Sequence, residues 1–282
     1  MENLGYYNGK YDLIEKMTVP MNDRACFFGD GIYEAAYCRN YIIFALEEHL
    51  DRLYQSANAL GMVIPHTKEE MTSLLYSLIR KVDSHEQLVY LQISRGTQMR
   101  NHAPEASLVG NVWITLRPRV IQNIYIPMKL ITVEDTRFFH CNMKTLNLLP
   151  TVLASDAAAK AGADEAVFHR GDMVTECAHS NIAIIRKDDT IMTAPADCMI
   201  LAGIARAHFL RACQVLGYKV EQKHFSLEEM MHAKEIIVIS SGTLCRPAKQ
   251  IDGKVVGGGA PHMLRPLQDY LMEEYLQATE KK

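Results

Sequence analysis

The chain of 282 residues carries 30 Lys and Arg against 33 Asp and Glu, a formal net charge of -3 and a pI near 6.4, with the two signs interspersed. No basic run is present to neutralise a phosphate backbone, so nucleic acid is not an expected partner, and no apolar stretch approaches the roughly 20 residues that cross a bilayer. With 48% hydrophobic and 22% charged residues, the composition is that of a folded globular chain with enough length for two domains.

The start, Met1-Glu2-Asn3-Leu4-Gly5, lacks the basic and apolar regions of a signal peptide, which leads to the expectation of a cytoplasmic protein. Cys26, Cys38, Cys141, Cys177, Cys198, Cys213 and Cys245 are odd in number and scattered, with no Cys-x-x-Cys pair. They read as reduced, mostly buried thiols, and the histidines lack metal-ligand spacing, so no metal site is assigned.

Asn8-Gly9 tolerates the positive φ angles of a two-residue hairpin turn and predicts the first pair of strands. Leu46, Leu50, Leu53, Tyr54, Ala57 and Leu60 recur at helical spacing. A second helix is predicted from Thr67, with Glu70 completing a capping box. Residues 88–94 and 112–116 read as strands, so the first part of the chain is expected to be an antiparallel sheet with helices packed on it. The segment Pro118 to Pro127 has two prolines and no periodicity and is the predicted linker.

Beyond it, a strand over 129–133 precedes an alanine-rich helix over about 148–161, stopped by Gly162. Strands are predicted near 165–169, 181–186 and 190–193, then a helix over 204–216 stopped by Gly217. A capping box at Ser226 and Glu229, a strand over 235–240, a hairpin at Asp252-Gly253 and a final helix over about 261–276 complete the pattern. There is no strict alternation of strand and helix, and no Gly-x-Gly-x-x-Gly follows a strand. The expected fold class is α+β, with a small domain over 1–120 and a larger one over 121–282.

A lone lysine, Lys144, lies in Arg137-Phe-Phe-His-Cys-Asn-Met-Lys-Thr-Leu-Asn-Leu-Leu. By itself a lysine is most often a solvated surface charge; Schiff-base chemistry would need a site that desolvates the amine and lowers its pKa from about 10.4. The companions decide. They are Phe28-Gly-Asp-Gly-Ile-Tyr-Glu34, Glu48-His-Leu-Asp-Arg-Leu-Tyr54, Val174-Thr-Glu176 with Ser180-Asn181, Met199-Ile-Leu-Ala-Gly-Ile-Ala-Arg206, and Ser240-Ser-Gly-Thr243. With these motifs the chain resembles, over nearly its whole length, the two-domain fold-type IV pyridoxal 5'-phosphate (PLP) enzymes, or class IV aminotransferases, and among them the D-amino-acid aminotransferases.

The resemblance implies a role for each matched residue. Lys144 would bind the PLP aldehyde and carry the proton between Cα and C4′. Glu176 would face the pyridine nitrogen and keep the ring an electron sink. Arg52 would clamp the phosphate through its guanidinium fork, although alone it could be a helix-surface arginine paired with Glu48. Gly203, Ile204 and Ala205 open a helix whose N–H groups would hold the phosphate, Leu201 would pack on the ring, and Ser241 would add a hydroxyl. Ala205 stands where close relatives often carry threonine, and Cys177, Ala178 and His179 stand where glycine and serine are common.

Arg95-Gly-Thr-Gln-Met-Arg100-Asn-His102 is similar to the Arg-Gly-Thr-x-x-Arg-x-His pattern of D-amino-acid aminotransferases. The similarity implies that Arg100 and His102, reaching in from a neighbouring subunit of a homodimer, trap the substrate α-carboxylate together with Tyr33. On this reading the protein is a PLP-dependent D-amino-acid transaminase of the type that converts D-alanine and 2-oxoglutarate to pyruvate and D-glutamate by a ping-pong cycle. The alternatives are a branched-chain L-amino-acid aminotransferase, a 4-amino-4-deoxychorismate lyase, or a non-catalytic protein that keeps the fold.

Overall fold

The computed structural model describes residues 1–281, which divide into two compact units. The first unit takes residues 1–121, returns for 143–147 and ends with the chain from Leu276 onward; the second takes 122–142 and 148–275. The short lysine segment thus belongs to the first unit, although the residues on either side of it belong to the second.

The first unit is built on a six-stranded antiparallel sheet of β1 (Leu4–Tyr7), β2 (Lys10–Asp12), β3 (Gly31–Arg39), β4 (Ile42–Ile43), β5 (Glu86–Ser94) and β6 (Asn111–Pro118), in the order β2-β1-β6-β5-β3-β4. Asn8 and Gly9 turn β1 into β2 at φ values of 44° and 91°, conformations that cost this dipeptide little. Strands β3 and β5 pair over their whole length, from Gly31 opposite Ser94 to Arg39 opposite Glu86.

Alternation along β3 sends Ile32, Ala36 and Cys38 into a core shared with Leu50, Leu53 and Ala57 of α2 (Leu46–Ala59) and Met71, Leu75, Leu78 and Ile79 of α3 (Lys68–Ile79). Helix α3 starts where expected, with Thr67 and Glu70 forming the reciprocal capping box. Strand β3 and the short α1 (Arg24–Phe28) are absent from the sequence pattern. Glycine and alanine dilute the β propensity of β3, and Glu34 occupies one of its core-facing positions.

The second unit holds a mixed sheet of ten strands: β7 (Met128–Glu134), β8 (Glu165–Arg170), β9 (Met173–Cys177), β10 (Asn181–Ile185), β11 (Ile191–Thr193), β12 (Val220–Gln222), β13 (Phe225–Ser226), β14 (Glu235–Ile239), β15 (Arg246–Ile251) and β16 (Lys254–Val255). Their order is β12-β11-β10-β14-β15-β7-β8-β9-β13, with β16 added to β15. Strands β10 and β14 are buried at every residue and read from sequence as apolar runs. Strands β12 and β13, of three and two residues, are too short to leave a pattern, whereas β16 is the return strand of the hairpin expected at Asp252-Gly253.

Four helices complete this part of the chain: α4 (Leu149–Lys160), α5 (Ile204–Val215), α6 (Leu227–Met231) and α7 (Pro261–Ala278). β7 and β8 are parallel neighbours joined through α4, and β11 and β12 are parallel neighbours joined through α5, two β-α-β crossovers within an otherwise irregular order. The small Ala154 and Ala158 of α4 sit against Ala166 and Phe168 of β8, and Gly162 at φ 66° ends the turn. The proline-flanked segment 119–127 is irregular but fastened: Arg246 donates to the Ile126 carbonyl at 2.9 Å and Gln268 to that of Ile124 at 2.7 Å. Among the described residues no helix is long and apolar enough to cross a membrane, and no group of three His, Cys, Asp or Glu could hold a metal ion.

Candidate active site

Backbone bonds fix Lys144 beside β3. The Tyr33 N–H donates to the Lys144 carbonyl at 3.0 Å, the Leu146 N–H donates to that of Gly31 at 3.0 Å, and Thr145 forms an antiparallel bridge with Ile32. Glycine at position 31 permits this approach, because a Cβ there would lie 2.6 Å from the Ile93 carbonyl oxygen and 2.7 Å from Leu146 Cδ1. The Lys144 Nζ stands 4.3 Å from the centroid of the Tyr33 ring. That ring stacks on Tyr90 at 5.5 Å and 27°, and the Tyr90 hydroxyl donates to Gln92 Oε1 at 2.7 Å. Burial, with the Tyr33 hydroxyl nearby, pushes the Tyr90 phenol far above its usual range, so it remains a donor.

On the core-facing side of β3, Glu34 binds both Arg52 and His49. Arg52 Nε and Nη2 donate to it at 2.7 Å each, and His49 Nδ1 lies 2.7 Å from Oε2. Burial alone would raise the Glu34 carboxyl, but the charge and hydrogen bonds of Arg52, with help from His49, hold it at about 2. His49 moves below its ordinary value because burial outweighs the attraction of Glu34, and Arg52 and Lys144 repel its charged form. The imidazole is therefore neutral and donates from Nδ1. The Glu34 pair occupies the Nε–Nη2 edge of the guanidinium, so any grip of Arg52 on a phosphate would have to come end-on.

Arg100 and His102 lie on an exposed but fastened loop. Buried Arg24 donates to the carbonyls of Asn101 at 2.6 Å and His102 at 3.0 Å, while Gln98 donates to Ala103 and accepts from the Glu105 N–H. Phe28 is the shared platform: the Arg100 guanidinium lies 5.2 Å from its centroid and the His102 ring 5.2 Å away. Asp30 ties the base together, accepting from Arg24 at 2.7 Å and Arg95 at 2.9 Å.

In the second unit the buried Glu176, at the end of β9, is surrounded by donors. Arg137 reaches Oε1 at 2.5 Å, Asn181 donates to Oε2 at 3.0 Å, and the Leu201 N–H lies 3.1 Å from Oε2. Buried Asp135 accepts from Arg137, Arg170 and Thr175 and so holds the arginine in place. Both carboxylates drive the Arg137 pKa further up, against its burial.

Helix α5 starts next to this carboxylate. Gly203 is its N-cap and offers no side-chain cap, so the first N–H groups of a helix of 12 residues have no capping side chain. A Cβ at Gly203 would lie 2.1 Å from Asn181 Oδ1. Ala205 is buried and Ile204 half-buried. Ser241 follows β14, in which Ile239 pairs with Asn181. The predicted residues thus fall into two sets, with Tyr33, Arg52, Arg100, His102 and Lys144 in the first unit and Glu176, Leu201, Gly203, Ile204, Ala205 and Ser241 in the second.

A sequence model of the family amino-transferase class IV matches residues 31–251. This chain belongs to the class IV aminotransferases. It is 39% identical over 270 residues to the D-alanine aminotransferase of Listeria monocytogenes serotype 4b, covering 94% of this chain and 93% of that protein. It is 34% identical over 281 residues to the D-alanine aminotransferase of Bacillus licheniformis, covering 98% of each. Among solved structures, the branched-chain amino acid aminotransferase of Escherichia coli superposes with a TM-score of 0.88 at 20% identity, over 100% of this chain and 97% of that one. At that identity the likeness establishes the fold-type IV architecture.

Class IV aminotransferases work with PLP, and the residues here fit that group. A helix start without a capping side chain suits a phosphate, and a carboxylate fixed among donors suits a pyridine N–H. A lysine held by its own backbone suits an aldehyde. Several residues that bond the candidate site residues are not themselves predicted from the sequence. Glu34 and His49 stand inside quoted motifs, and a glutamate in the core register of β3 was the available signal. Arg137 opens the lysine segment but nothing there pointed to its role, and Asp135 and Arg24 left no signal, since the partners of all three are brought together only by folding.

Proposed function

We propose that this aminotransferase moves amino groups from D-amino acids to 2-oxo acids in a ping-pong exchange, with D-alanine and 2-oxoglutarate as the first pair to assay. The observation that carries this reading is the loop of Arg100 and His102, anchored on Phe28 and Arg24. It offers a forked and a single donor suited to a carboxylate. The D-alanine aminotransferases quoted above support the same choice.

PLP supplies a sink for the electron pair left when a proton leaves the substrate Cα. Lys144 would anchor the cofactor, and its amine would be the base that takes the proton from the substrate Cα. Tyr33 confines the amine from one side. Glu176 faces the ring nitrogen as a carboxylate with Arg137 as its counter-ion. The N–H groups at Gly203, Ile204 and Ala205, with Ser241, would hold the phosphate, Arg52 would add its charge to that grip, and Leu201 would pack on the ring. Arg100 and His102 of a second copy, with Tyr33, orient the α-carboxylate and so decide which Cα substituent points at Lys144.

The proposed assembly is a homodimer. Supporting this, Arg100 and His102 are exposed, and α4 shows Leu149, Val152 and Leu153 to solvent at 69%, 58% and 60%, an apolar stripe of the kind that a subunit contact covers. A cytoplasmic location is proposed as well, supported by the absence of a spanning helix among the described residues and by free cysteines.

The deciding experiment is a transamination screen of the PLP-loaded protein against matched D- and L-amino acids. Turnover of D-alanine with 2-oxoglutarate is the expected result. Turnover of L-leucine without D-alanine would make it a branched-chain enzyme, and pyruvate from aminodeoxychorismate without an amino acceptor would make it a lyase. No turnover by an intact dimer would leave a protein that keeps only the fold.

A further inference from the structure

Two cysteines in the second unit lie one backbone hydrogen bond apart. The Cys141 N–H donates to the Cys198 carbonyl at 3.0 Å, and a few residues away Arg137 Nη2 donates to the Met199 carbonyl at 3.2 Å. These two bonds lace the segment 137–141 to the segment 198–199. Strand residues that exchange both backbone hydrogen bonds have Cα atoms about 5.5 Å apart; the one bond between Cys141 and Cys198 brings their backbones into the same neighbourhood, which overlaps the ~4.4–6.8 Å that a disulfide spans. Cys198 is exposed and Cys141 half-buried, whereas Cys38, Cys177, Cys213 and Cys245 are buried. Cys141 now donates its thiol to the Phe138 carbonyl at 3.1 Å, so bridging requires it to turn away from that oxygen.

The laced segments are those that hold Glu176. Arg137 lies at one end, the Leu201 N–H lies three residues beyond Cys198, and both bond the carboxylate. Cys141 lies within the fields of Arg137 and Glu176, and Lys144 follows it by three residues.

We infer that Cys141 and Cys198 are a modification site at which hydroperoxides form a reversible disulfide, a redox clasp on the segments that hold Glu176. The exposed Cys198 thiol attacks the peroxide, breaking its O–O bond and giving a sulfenic acid and one alcohol, or water from hydrogen peroxide. The Cys141 sulfur then attacks the Cys198 sulfur. An S–S bond forms, the S–O bond breaks, and water leaves with the Cys141 proton. Cys198 is the exposed thiol of the two, which assigns it the first oxidation; burial, which lifts the Cys141 thiol to about 11, leaves Cys141 the resolving step. A dithiol reverses the bridge by exchange.

The test treats the holoenzyme with hydrogen peroxide, blocks free thiols by alkylation, and maps peptides by mass spectrometry alongside the turnover rate. The expected result is a linked pair of Cys141 and Cys198 peptides lighter by two hydrogens, with turnover reduced severalfold, and both changes reversed by dithiothreitol. Cys141→Ser and Cys198→Ser should each abolish the link and the loss of rate, while Cys26→Ser should change neither. Sulfinic acid on Cys198 with Cys141 fully alkylated would overturn the inference, as would a link between two copies of the chain. A bridge that leaves turnover unchanged would reduce it to a passive staple and overturn the clasp. Peptide masses do not depend on the substrate, so failure of this inference is distinguishable from failure of the D-amino-acid reading.

Discussion

Lys144 and Tyr33 are joined twice: the Tyr33 N–H donates to the Lys144 carbonyl at 3.0 Å, and the Tyr33 ring lies 4.3 Å from the Lys144 Nζ. Backbone and side chain of the lysine are thus registered to the same strand residue, which fixes where the amine can reach. Lys144→Ala should remove the covalent hold on PLP together with the proton carrier. Loss of a positioned acid-base group typically costs ~10²–10⁴ in rate, and the expected fall in kcat is at the upper end of that range. The visible absorption of the lysine-linked cofactor, and its sensitivity to borohydride, should disappear with it. A variant that kept both the reducible band and the wild-type rate would show that another residue carries the cofactor.

The Glu34 cluster predicts a pH-dependent stability with a definite sign. Glu34 falls from 4.5 to about 2 in the folded chain, so its contribution is fully present above about pH 4.5 and is lost as pH falls through about 2. At ~1.4 kcal/mol per pH unit this is worth about 3 kcal/mol. His49, lowered by burial, adds a loss in the same direction as pH drops below its ordinary value of 6.5. Glu34→Gln should cost about 3–5 kcal/mol near neutral pH by taking the Glu34 counter-charge away from the mostly buried Arg52. Urea unfolding of both proteins at about pH 7, 5 and 3 should show the gap between them narrowing with acid. A constant gap would mean that the ion pair does not carry it.

Legibility followed chain proximity. The hairpin at Asn8-Gly9, the capping boxes at Thr67 and Ser226, and the stop at Gly162 are local events, and each stands where the sequence put it. The α+β class followed from the same local signals. Strand β3 was not legible, because its stability comes from nine cross-strand pairs with β5 and not from its own propensity. For the candidate site, motif matching supplied Lys144, Glu176 and the Gly203 helix start. It did not reveal that Arg52 is engaged by Glu34, nor that Arg24 supports the Arg100 loop from 76 positions earlier in the chain. Such partnerships are made by tertiary pairing and have no spacing rule.

Gly203→Ala tests the cradle at the start of α5. The new Cβ would meet Asn181 Oδ1 at 2.1 Å, and Asn181 cannot swing aside without breaking its bonds to Glu176 at 3.0 Å and to the Leu201 carbonyl at 2.8 Å. Overpacking of this kind costs about 1–3 kcal/mol. PLP affinity should fall at least about tenfold, the equivalent of about 1.4 kcal/mol, as measured by cofactor dissociation on dilution. Unchanged retention would show that the α5 start does not contact the phosphate.

Arg100→Lys separates charge from geometry. Lysine keeps the positive charge but loses the fork, so if the arginine grips the α-carboxylate the KM for D-alanine should rise about tenfold with kcat within about twofold. Arg100→Ala should exceed that effect. Equal kinetics for wild type and Arg100→Lys would reduce the arginine to a solvated loop charge.

Tyr90 is the support behind Tyr33, and its two contacts can be separated. Tyr90→Phe keeps the stack at 5.5 Å and loses only the hydroxyl bond to Gln92, worth about 1 kcal/mol. Tyr90→Leu loses the stack, worth ~0.5–1.5 kcal/mol beyond buried area, and frees the Tyr33 ring to move under the Lys144 amine. The expected order is a fall in kcat of less than about threefold for Tyr90→Phe and of about tenfold for Tyr90→Leu. The double variant decides between support and mere burial. Once Tyr33 is alanine, Tyr90→Leu should add almost nothing to the loss in kcat, because the only path from Tyr90 to the amine has been removed. Full additivity of the two substitutions would show that Tyr90 acts on the site by some route other than Tyr33.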